Sequence, residues 1–212
     1  MDLYFSPLAC SMATRIAFYE ANATARYIQV DLRSKRILED GSDFLAINDM
    51  GQVPVLRTDD GTLLTENPAV LLYVADQLPG SGLAPRDGFD RYRLQQWLGF
   101  ANSELHKATF VPLLDAKCPE GGKVYSHEKT PLRLAHLAND LGGREFVLDR
   151  FTVADAYLAT VLNWARYSNV DLAAWPAVSG YYRRMIARPS VARALSEEMA
   201  LYQAEQAQRK AA

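Results

Sequence analysis

The spacing of apolar residues changes along this chain and divides it into two parts. Residues 3–5 form a short apolar run, and residues 27–31 alternate apolar with polar side chains, both patterns typical of strands. Pro7 ends the first strand because it cannot donate to a sheet and disfavours helix at the residue before it. A helix is predicted to begin near Cys10, so the chain opens as a strand–helix–strand unit with parallel strands.

A hairpin and a second helix complete this first part. Two apolar runs bracket the Asp-Gly dipeptide at 60–61, which is typical of a tight hairpin turn. Asn67 is a favoured helix cap and Pro68 a favoured first helical residue, so a helix is predicted to start there. The sequence therefore predicts an α/β domain over residues 1–78.

The second part of the chain shows helical periodicity alone. Residues 79–90 contain several proline and glycine residues and are predicted to be a linker. Thr152 and Asp155 match a capping box ahead of an apolar run. An all-helical domain is therefore predicted over residues 91–212. Its first helix has apolar positions with the spacing of an amphipathic helix, namely Leu94, Trp97, Leu98, Ala101 and Leu105.

Composition and charge narrow the class of protein. The 212 residues are 49% hydrophobic and carry 23 basic and 25 acidic side chains, a formal net charge of −2. This balance argues against a nucleic-acid-binding protein, which would show a basic face. The sequence has neither a secretory signal pattern nor an apolar run long enough for a membrane span. Cys10 and Cys118 lie far apart and no His or Cys cluster has metal-ligand spacing, so a cytoplasmic location without disulfides or metal is expected.

Cys10 is the first candidate for chemistry. In the first turn of a helix, unpaired backbone N–H groups and the helix dipole favour a thiolate, which suits a nucleophile or a redox group. The alternative is a small buried hydrophobic residue, and the local pattern leaves both open. A resolving cysteine at the spacing of a dithiol motif is absent, because position 13 is Ala13.

Other candidate residues also have ordinary structural alternatives. Glu66 either binds a ligand or balances the helix dipole as a first-turn acid. Four residues share one predicted face of the first helix of the second part, where they either line a site or contact solvent: Gly99, Ser103, His106 and Lys107.

Taken in order, these motifs resemble the cytosolic glutathione transferases, and within them the bacterial beta class. The resemblance covers about residues 1–205 and implies a thioredoxin-like N-terminal domain followed by an all-α domain. It also implies glutathione as co-substrate and a homodimer. The segments that carry it are Ser-Pro-Leu-Ala-Cys-Ser at 6–11, Asp-Leu at 31–32, Asn-Asp-Met-Gly-Gln-Val-Pro at 48–54, Asp-Gly-Thr-Leu-Leu-Thr-Glu at 60–66 and Glu-Leu-His-Lys at 104–107.

The resemblance implies roles for residues of the first domain. Pro54 is expected to be cis, so that the backbone of Val53 pairs with the cysteinyl unit of glutathione like an added strand. The helix start beside Asn67 is expected to hold the γ-glutamyl carboxylate, and Glu66 to accept from the γ-glutamyl ammonium. Lys35 matches the position that binds the glycyl carboxylate.

Residues of the helical domain complete the implied site. Ser103, Glu104 and His106 are expected to touch glutathione, either within one protomer or across the dimer. Gly99 stands where the beta class often carries asparagine, so a side-chain contact is expected to be lost there. Arg33, Lys35 and Arg36 are either charges of a solvated loop, or one of them holds a carboxylate, for which Lys35 is the best match to the family position.

The predicted function is conjugation of the glutathione thiol to small hydrophobic electrophiles. Cys10 would stabilise the glutathione thiolate, and His106 would accept a proton with a pKa near the working pH. One alternative makes Cys10 the nucleophile of a glutathione-dependent thiol transferase, reductase or aryl-ether lyase. The other is a non-catalytic, transferase-like binding module. Nucleic acid and membrane are not expected partners.

Overall fold

The computed structural model describes residues 1–211, and Ala212, the last residue of the predicted helical domain, lies outside the described residues. The chain divides into two compact units. The first unit contains Met1–Leu83 and the C-terminal segment from Pro189, and the second unit contains Ala84–Arg188. This division differs from the predicted one, because the first unit ends inside the predicted linker and includes a helix that the sequence had assigned to the helical domain.

The centre of the first unit is a sheet of five strands, β1 (Asp2–Phe5), β2 (Arg26–Asp31), β3 (Arg36–Ile37), β4 (Val55–Arg57) and β5 (Leu63–Leu64). Their spatial order is β3-β2-β1-β4-β5. Strands β1 and β2 are parallel, as the strand–helix–strand pattern predicts, and the other neighbouring pairs are antiparallel. In this register Leu3 of β1 lies between Tyr27 of β2 and Leu56 of β4.

Helices make up most of the remaining structure. In chain order they are α1 (Met12–Glu20), α2 (Asn67–Gln77), α3 (Gly88–Phe100), α4 (Val111–Leu114), α5 (Glu120–Leu141), α6 (Val153–Leu162), α7 (Pro176–Ala187) and α8 (Pro189–Ala211). Between α3 and α4 the chain continues as a π-helix, Ala101–Phe110. Short 3-10 helices cover Phe44–Ala46, Pro79–Ser81, Asn163–Tyr167 and Leu172–Ala174. The predicted fold class, a thioredoxin-like α/β domain with a helical domain, is confirmed.

One face of the sheet packs against the loop that leads into β4. Side chains alternate along a strand, so Tyr4, Ile28 and Val55, which lie opposite one another in three adjacent strands, point to the same face. Phe44 and Val53 belong to the same buried cluster. The rings of Tyr4 and Phe44 are in contact, with centroids 5.9 Å apart. The cluster fixes the position of Val53 relative to the sheet.

Helix α1 is buried along most of its length, because both α2 and α8 pack against it. Its buried residues include Arg15, whose guanidinium lies 4.3 Å from the ring centroid of Phe5 and 4.0 Å from that of Tyr27. A segment from the far end of the chain therefore belongs to the core of the first unit.

Helix α6 is the centre of the second unit, and every one of its residues is buried. The capping box predicted for its start is present, with Thr152 as the cap and Asp155 as its partner. The Asp155 carboxylate also accepts from the Val147 N–H at 3.1 Å and from the Tyr181 hydroxyl at 2.9 Å. One buried carboxylate thus joins the start of α6 to the preceding loop and to α7.

Candidate functional site

The segment between β1 and α1 forms a tight turn that leads into Cys10. The Ala9 N–H donates to the Ser6 C=O at 3.1 Å, and Leu8 has a φ of +60°. With Pro7 in the second position, these are the features of a type II turn, whose third residue has a positive φ. Glycine is the usual third residue, since the left-handed conformation costs an L-residue with a side chain about 1–2 kcal/mol.

Helix α1 begins at Met12, two residues later than the sequence predicts. Its first N–H groups donate to carbonyls of the preceding segment, Met12 to Ala9, Ala13 to Cys10 and Thr14 to Ser11. The prediction that Cys10 lies in the first helical turn beside unpaired N–H groups is therefore wrong. A second tight turn follows the first, and its hydrogen bonds use those donors.

Cys10 is only 8% exposed and is held by two other segments of the first unit. Its Sγ donates to the Val53 C=O at 3.2 Å, and its own C=O accepts from the side-chain amide of Asn67 at 3.2 Å. Val53 and Asn67 lie 43 and 57 positions along the chain from Cys10. The fold therefore brings three of the predicted site residues together.

The Val53–Pro54 peptide bond is cis, which confirms the expectation from the resemblance. Strand β4 begins at the next residue, so Val53 ends the loop that enters the sheet. A carbonyl oxygen has two lone pairs, and the Val53 oxygen can accept a further hydrogen bond beside that from Cys10.

Lys35 reaches the same loop from the segment between β2 and β3. Its Nζ donates to the Gly51 C=O at 2.8 Å. Its methylene groups lie over Gly51, where an added Cβ would come within 3.0 Å of the Lys35 Cδ and Cε. An ammonium group has three protons, so the bond to Gly51 uses only part of its capacity as a donor. The ammonium of Lys35 thus lies beside Gly51, which is two residues before Val53 in the loop.

The start of α2 differs from the prediction by one residue. Glu66 precedes the first helical residue, and Asn67 opens the helix with Pro68 after it. The predicted capping role of Asn67 is wrong, because its buried amide is turned towards the Cys10 carbonyl. Glu66 is exposed and has a φ of +64°, a conformation uncommon for a residue with a Cβ and enriched at functional sites.

In the second unit, His106 is buried within the π-helix. Its Nδ1 lies 2.7 Å from the Tyr157 hydroxyl, and that hydroxyl donates to the Asn102 Oδ1 at 2.9 Å. Since the tyrosine has a single proton and gives it to Asn102, Nδ1 of His106 is the donor in its own bond. The lone pair of the imidazole is then on Nε2. The Trp164 ring packs edge-on, with ring centroids 4.9 Å apart.

Burial, with a smaller contribution from the positive charge of Lys107, lowers the pKa of His106 to about 4. The imidazole is therefore neutral at physiological pH. The expectation of a pKa near the working pH is wrong, because the exposure of a side chain depends on tertiary packing that a helical spacing does not reveal.

The predicted common face of Ser103, His106 and Lys107 does not form. Ser103 and Lys107 are exposed and His106 is buried. The segment is a π-helix, in which the Val111 N–H donates to the His106 C=O five residues back, so the spacing of an α-helix does not apply. Glu104 accepts from the Ser103 hydroxyl at 3.3 Å and forms an ion pair with Arg133 at 2.9 Å.

The sequence did not reveal the residues that orient the predicted ones. Tyr157 bonds to His106 across 51 positions and to Asn102 across 55. Glu198 of α8 accepts from the Leu8 N–H across 190 positions. No spacing rule connects residues so far apart, and no local motif marks them.

Residues 1–211 contain neither a metal-ion site nor a membrane-spanning helix. No group of three or more His, Cys, Asp or Glu side chains is arranged to hold a metal ion. No helix in this range is both long and apolar enough to cross a membrane.

Two family models match the chain. The model for the glutathione S-transferase N-terminal domain matches residues 9–77, and the model for the C-terminal domain of the same family matches residues 134–184. The N-terminal match contains Cys10, Lys35, Val53 and Glu66.

Known proteins similar to the chain carry the same description. This chain is 40% identical over 200 residues to the glutathione S-transferase GstA of Escherichia coli O157:H7, and the alignment covers 93% of this chain and 98% of the relative. A sphingomonad glutathione S-transferase, solved in complex with glutathione, is 44% identical with a TM-score of 0.88. A bacterial beta class glutathione S-transferase from Sphingomonas chungbukensis is 42% identical, also with a TM-score of 0.88. Both alignments cover 93% of this chain and 98% of the other.

The chain belongs to the glutathione S-transferase family. The predicted family and the likeness to its bacterial beta class are confirmed. The prediction that the chain is an enzyme, a glutathione transferase, is confirmed with them.

Proposed function

We propose that the chain binds glutathione along the loop at Val53 and conjugates its thiol to small hydrophobic electrophiles, with Cys10 beside the reacting sulfur. The observation that carries this proposal is the 3.2 Å hydrogen bond from the Cys10 Sγ to the Val53 C=O. A peptide that pairs with Val53 as an added strand has its own side chain next to that bond. For glutathione this side chain is the reactive thiol.

The two ends of glutathione have matching partners on either side of Val53. The exposed carboxylate of Glu66 suits the γ-glutamyl ammonium, and the start of α2 at Asn67 suits the γ-glutamyl carboxylate. On the other side, Lys35 lies over Gly51 and supplies a positive charge for the glycyl carboxylate. The order of these groups along the loop agrees with the order of the tripeptide.

Cys10 acts as a hydrogen-bond donor in the proposed reaction. Glutathione loses its thiol proton to solvent, and the Cys10 S–H turns from the Val53 carbonyl to the new thiolate. The thiolate attacks an electrophilic carbon, a carbon–sulfur bond forms and the leaving group departs with its electron pair. A hydrogen bond to an ionised group stabilises it by about 1.5–3 kcal/mol, enough to favour the thiolate about tenfold or more.

We assign supporting contacts in the second unit. Ser103, Glu104 and His106 are proposed to contact glutathione, with His106 offering the lone pair of Nε2 as a neutral acceptor. Its pKa of about 4 makes it a weak base, so its contribution is to orient the thiol by a hydrogen bond before the proton is lost to solvent. A homodimer, a small hydrophobic electrophile as partner and a cytoplasmic location complete the proposal.

The same contact favours a second function, thiol transfer. The Cys10 thiolate attacks the glutathione sulfur of a mixed disulfide between glutathione and another thiol, a disulfide between Cys10 and glutathione forms, and the other thiol leaves as its thiolate. A second glutathione thiolate then attacks this disulfide, which regenerates the Cys10 thiolate and releases glutathione disulfide. A lyase that cleaves aryl ethers with glutathione would use the same sulfur.

A comparison of wild type with Cys10→Ala and Cys118→Ala tests these functions. Cys118 lies in the second unit and serves as the matched control. Turnover of glutathione with 1-chloro-2,4-dinitrobenzene is expected to fall about tenfold in Cys10→Ala, the loss of one hydrogen bond to an ionised group, and to stay unchanged in Cys118→Ala. Conjugation by wild type is the result that supports the proposal.

Two other results would change the assignment. A glutathione adduct seen by intact-mass spectrometry in wild type but not in Cys10→Ala, with disulfide reductase activity lost in that variant, would favour thiol transfer. Glutathione binding by calorimetry without turnover of apolar electrophiles or of mixed disulfides of glutathione would leave the non-catalytic binding module.

A further inference from the structure

The turn that presents Cys10 is held by helix α8. The Leu8 N–H donates to Oε2 of Glu198 at 2.7 Å, and Oε1 of the same carboxylate lies 3.0 Å from Nε of Arg15. Glu198 is fully buried, and the Arg15 side chain is 5% exposed. One buried carboxylate therefore accepts a hydrogen bond from the turn with one oxygen and forms an ion pair with the guanidinium on α1 through the other.

We propose that Glu198 is a positioning residue for Cys10, whose carboxylate, paired with Arg15, holds the Pro7–Leu8 peptide in the orientation that keeps the Cys10 sulfur on Val53. This inference rests on the role of Cys10 in the proposed function. Glu198 acts through Leu8 and does not itself touch the sulfur.

The turn needs such a partner because its third residue is leucine. Type I and type II turns differ by a flip of the central peptide, here that between Pro7 and Leu8. The type II form requires the positive φ seen at Leu8, which a side chain disfavours. The Leu8 N–H points to opposite sides in the two forms, so an acceptor fixed on one side selects one of them. Glu198 is that acceptor.

The surroundings of Glu198 hold its counter-charge rigidly. On α1, the guanidinium of Arg15 packs against the rings of both Phe5 and Tyr27. The other charged and titratable groups of this cluster are Glu197 and Arg193 of α8 and Tyr19 of α1. Glu197 forms ion pairs with Arg15 at 3.2 Å and with Arg193 at 2.9 Å. It also accepts a hydrogen bond from the Tyr19 hydroxyl. Arg15 is thus shared by two adjacent glutamates.

The same geometry makes the support sensitive to pH. Burial raises the pKa of Glu198 to about 7, against the opposing effects of Arg15 and of the Leu8 N–H. A proton on the carboxyl removes the charge that pairs with Arg15 and leaves a weaker, neutral acceptor for the Leu8 N–H. Below about pH 7 the hold on the turn is therefore weaker, and Cys10 leaves its protected position more often.

Alkylation of Cys10 by iodoacetamide between pH 6 and pH 8 tests the proposal without glutathione. Peptide mass spectrometry gives the rate at Cys10 relative to that at Cys118, which is the internal reference. At pH 8 this ratio is expected to be about tenfold higher in Glu198→Gln than in wild type, the effect of replacing a hydrogen bond to an ionised group by one to a neutral amide. In wild type the ratio rises as the pH falls to 6, and in Glu198→Gln it does not change.

Glu205→Gln is the matched control, since Glu205 lies on the same helix and bonds to Gln29 and Arg209 rather than to the turn. It is expected to behave as wild type. Equal Cys10 ratios in wild type and Glu198→Gln at pH 8, with the same pH dependence, would overturn the proposal.

A rescue experiment separates positioning from general support of the fold. Glycine accepts a positive φ without penalty, so Leu8→Gly in the Glu198→Gln background is expected to restore most of the protection of Cys10. If Glu198→Gln fails to fold, Leu8→Gly alone decides, because its ratio at pH 6 should fall to the value at pH 8. A pH dependence unchanged from wild type would refute the proposal. Inactivity towards electrophiles with these ratios intact would refute only the proposed function.

Discussion

Each unit of this transferase buries a titratable side chain at or beside its proposed site residues. The two side chains differ in whether a residue of opposite charge is buried with them. In the first unit, Glu198 is buried together with a counter-charge, the guanidinium of Arg15. In the second unit, His106 is buried against the neutral hydroxyl of Tyr157, and the positive charge of Lys107 opposes protonation of the imidazole.

The comparison shows how one physical effect gives opposite pKa shifts. Burial disfavours the charged form of either group, so it raises the pKa of the acid and lowers that of the base. Glu198 reaches about 7 in spite of Arg15, and His106 falls to about 4. Glu198 therefore titrates near physiological pH although it is a carboxylic acid, and His106 does not although it is a histidine.

The largest expected effect comes from removing the counter-charge in the first unit. Arg15→Met leaves the Glu198 carboxylate buried without its cation and is expected to lower the free energy of unfolding by about 3–5 kcal/mol at pH 9. The loss should be smaller at pH 6, where Glu198 takes up a proton. Urea unfolding at the two pH values measures both.

Arg193→Met is the control for Arg15→Met. Arg193 is largely exposed and stacks on Tyr19, so its replacement is expected to change the free energy of unfolding far less than Arg15→Met does, at either pH. A pH-independent loss in Arg15→Met would contradict the assignment of the charge pair.

The next effect is a pair of opposite pH slopes. A depressed histidine pKa means that the unfolded chain binds more protons, so the stability from His106 is present above about pH 6.5 and is lost as the pH falls through 4. A raised glutamate pKa means that the folded chain binds more protons, so the contribution of Glu198 falls as the pH rises from 4.5 to 7. Each amounts to a few kcal/mol.

Urea unfolding of His106→Asn and Glu198→Gln, each compared with wild type from pH 4 to 8, measures these slopes. The difference between wild type and His106→Asn should grow with pH up to about 6.5, and the difference between wild type and Glu198→Gln should shrink up to about 7. Slopes of the same sign would contradict the comparison between the two units.

The smallest expected effect is the loss of the tyrosine hydroxyl in the second unit. Tyr157→Phe removes the acceptor of the His106 Nδ1 proton and the donor to Asn102, at a cost of about 1–3 kcal/mol in unfolding free energy. The imidazole is then no longer held as the Nδ1–H tautomer. Nitrogen chemical shifts of His106 report the tautomer, and a Nδ1–H form unchanged in Tyr157→Phe would contradict the proposed hydrogen-bond chain.

Local patterns predicted the parts of the fold that local patterns control. The parallel pairing of β1 and β2, the hairpin of β4 and β5 and the capping box of α6 all depend on residues close together in sequence. The cis bond before Pro54 followed from the resemblance. These features were correct because neighbouring residues already restrict the backbone.

The errors concern residues whose setting depends on distant contacts. Cys10 precedes α1 because Leu8 adopts a positive φ that no sequence rule assigns to leucine. Asn67 turns its amide to Cys10 instead of capping α2. His106 is buried because its segment is a π-helix, in which residues do not share faces at the α-helical spacing used for the prediction.

The sequence by itself determined the family, the strand–helix–strand opening followed by a hairpin and a helix, and the residues that form the proposed site in the first unit. Tertiary structure alone decided how those residues are held and charged. Glu198 meets Leu8 across 190 positions, and His106 meets Tyr157 across 51. A pKa and a turn orientation depend on burial and on the partner at hydrogen-bond distance, and both arise only when distant segments pack together.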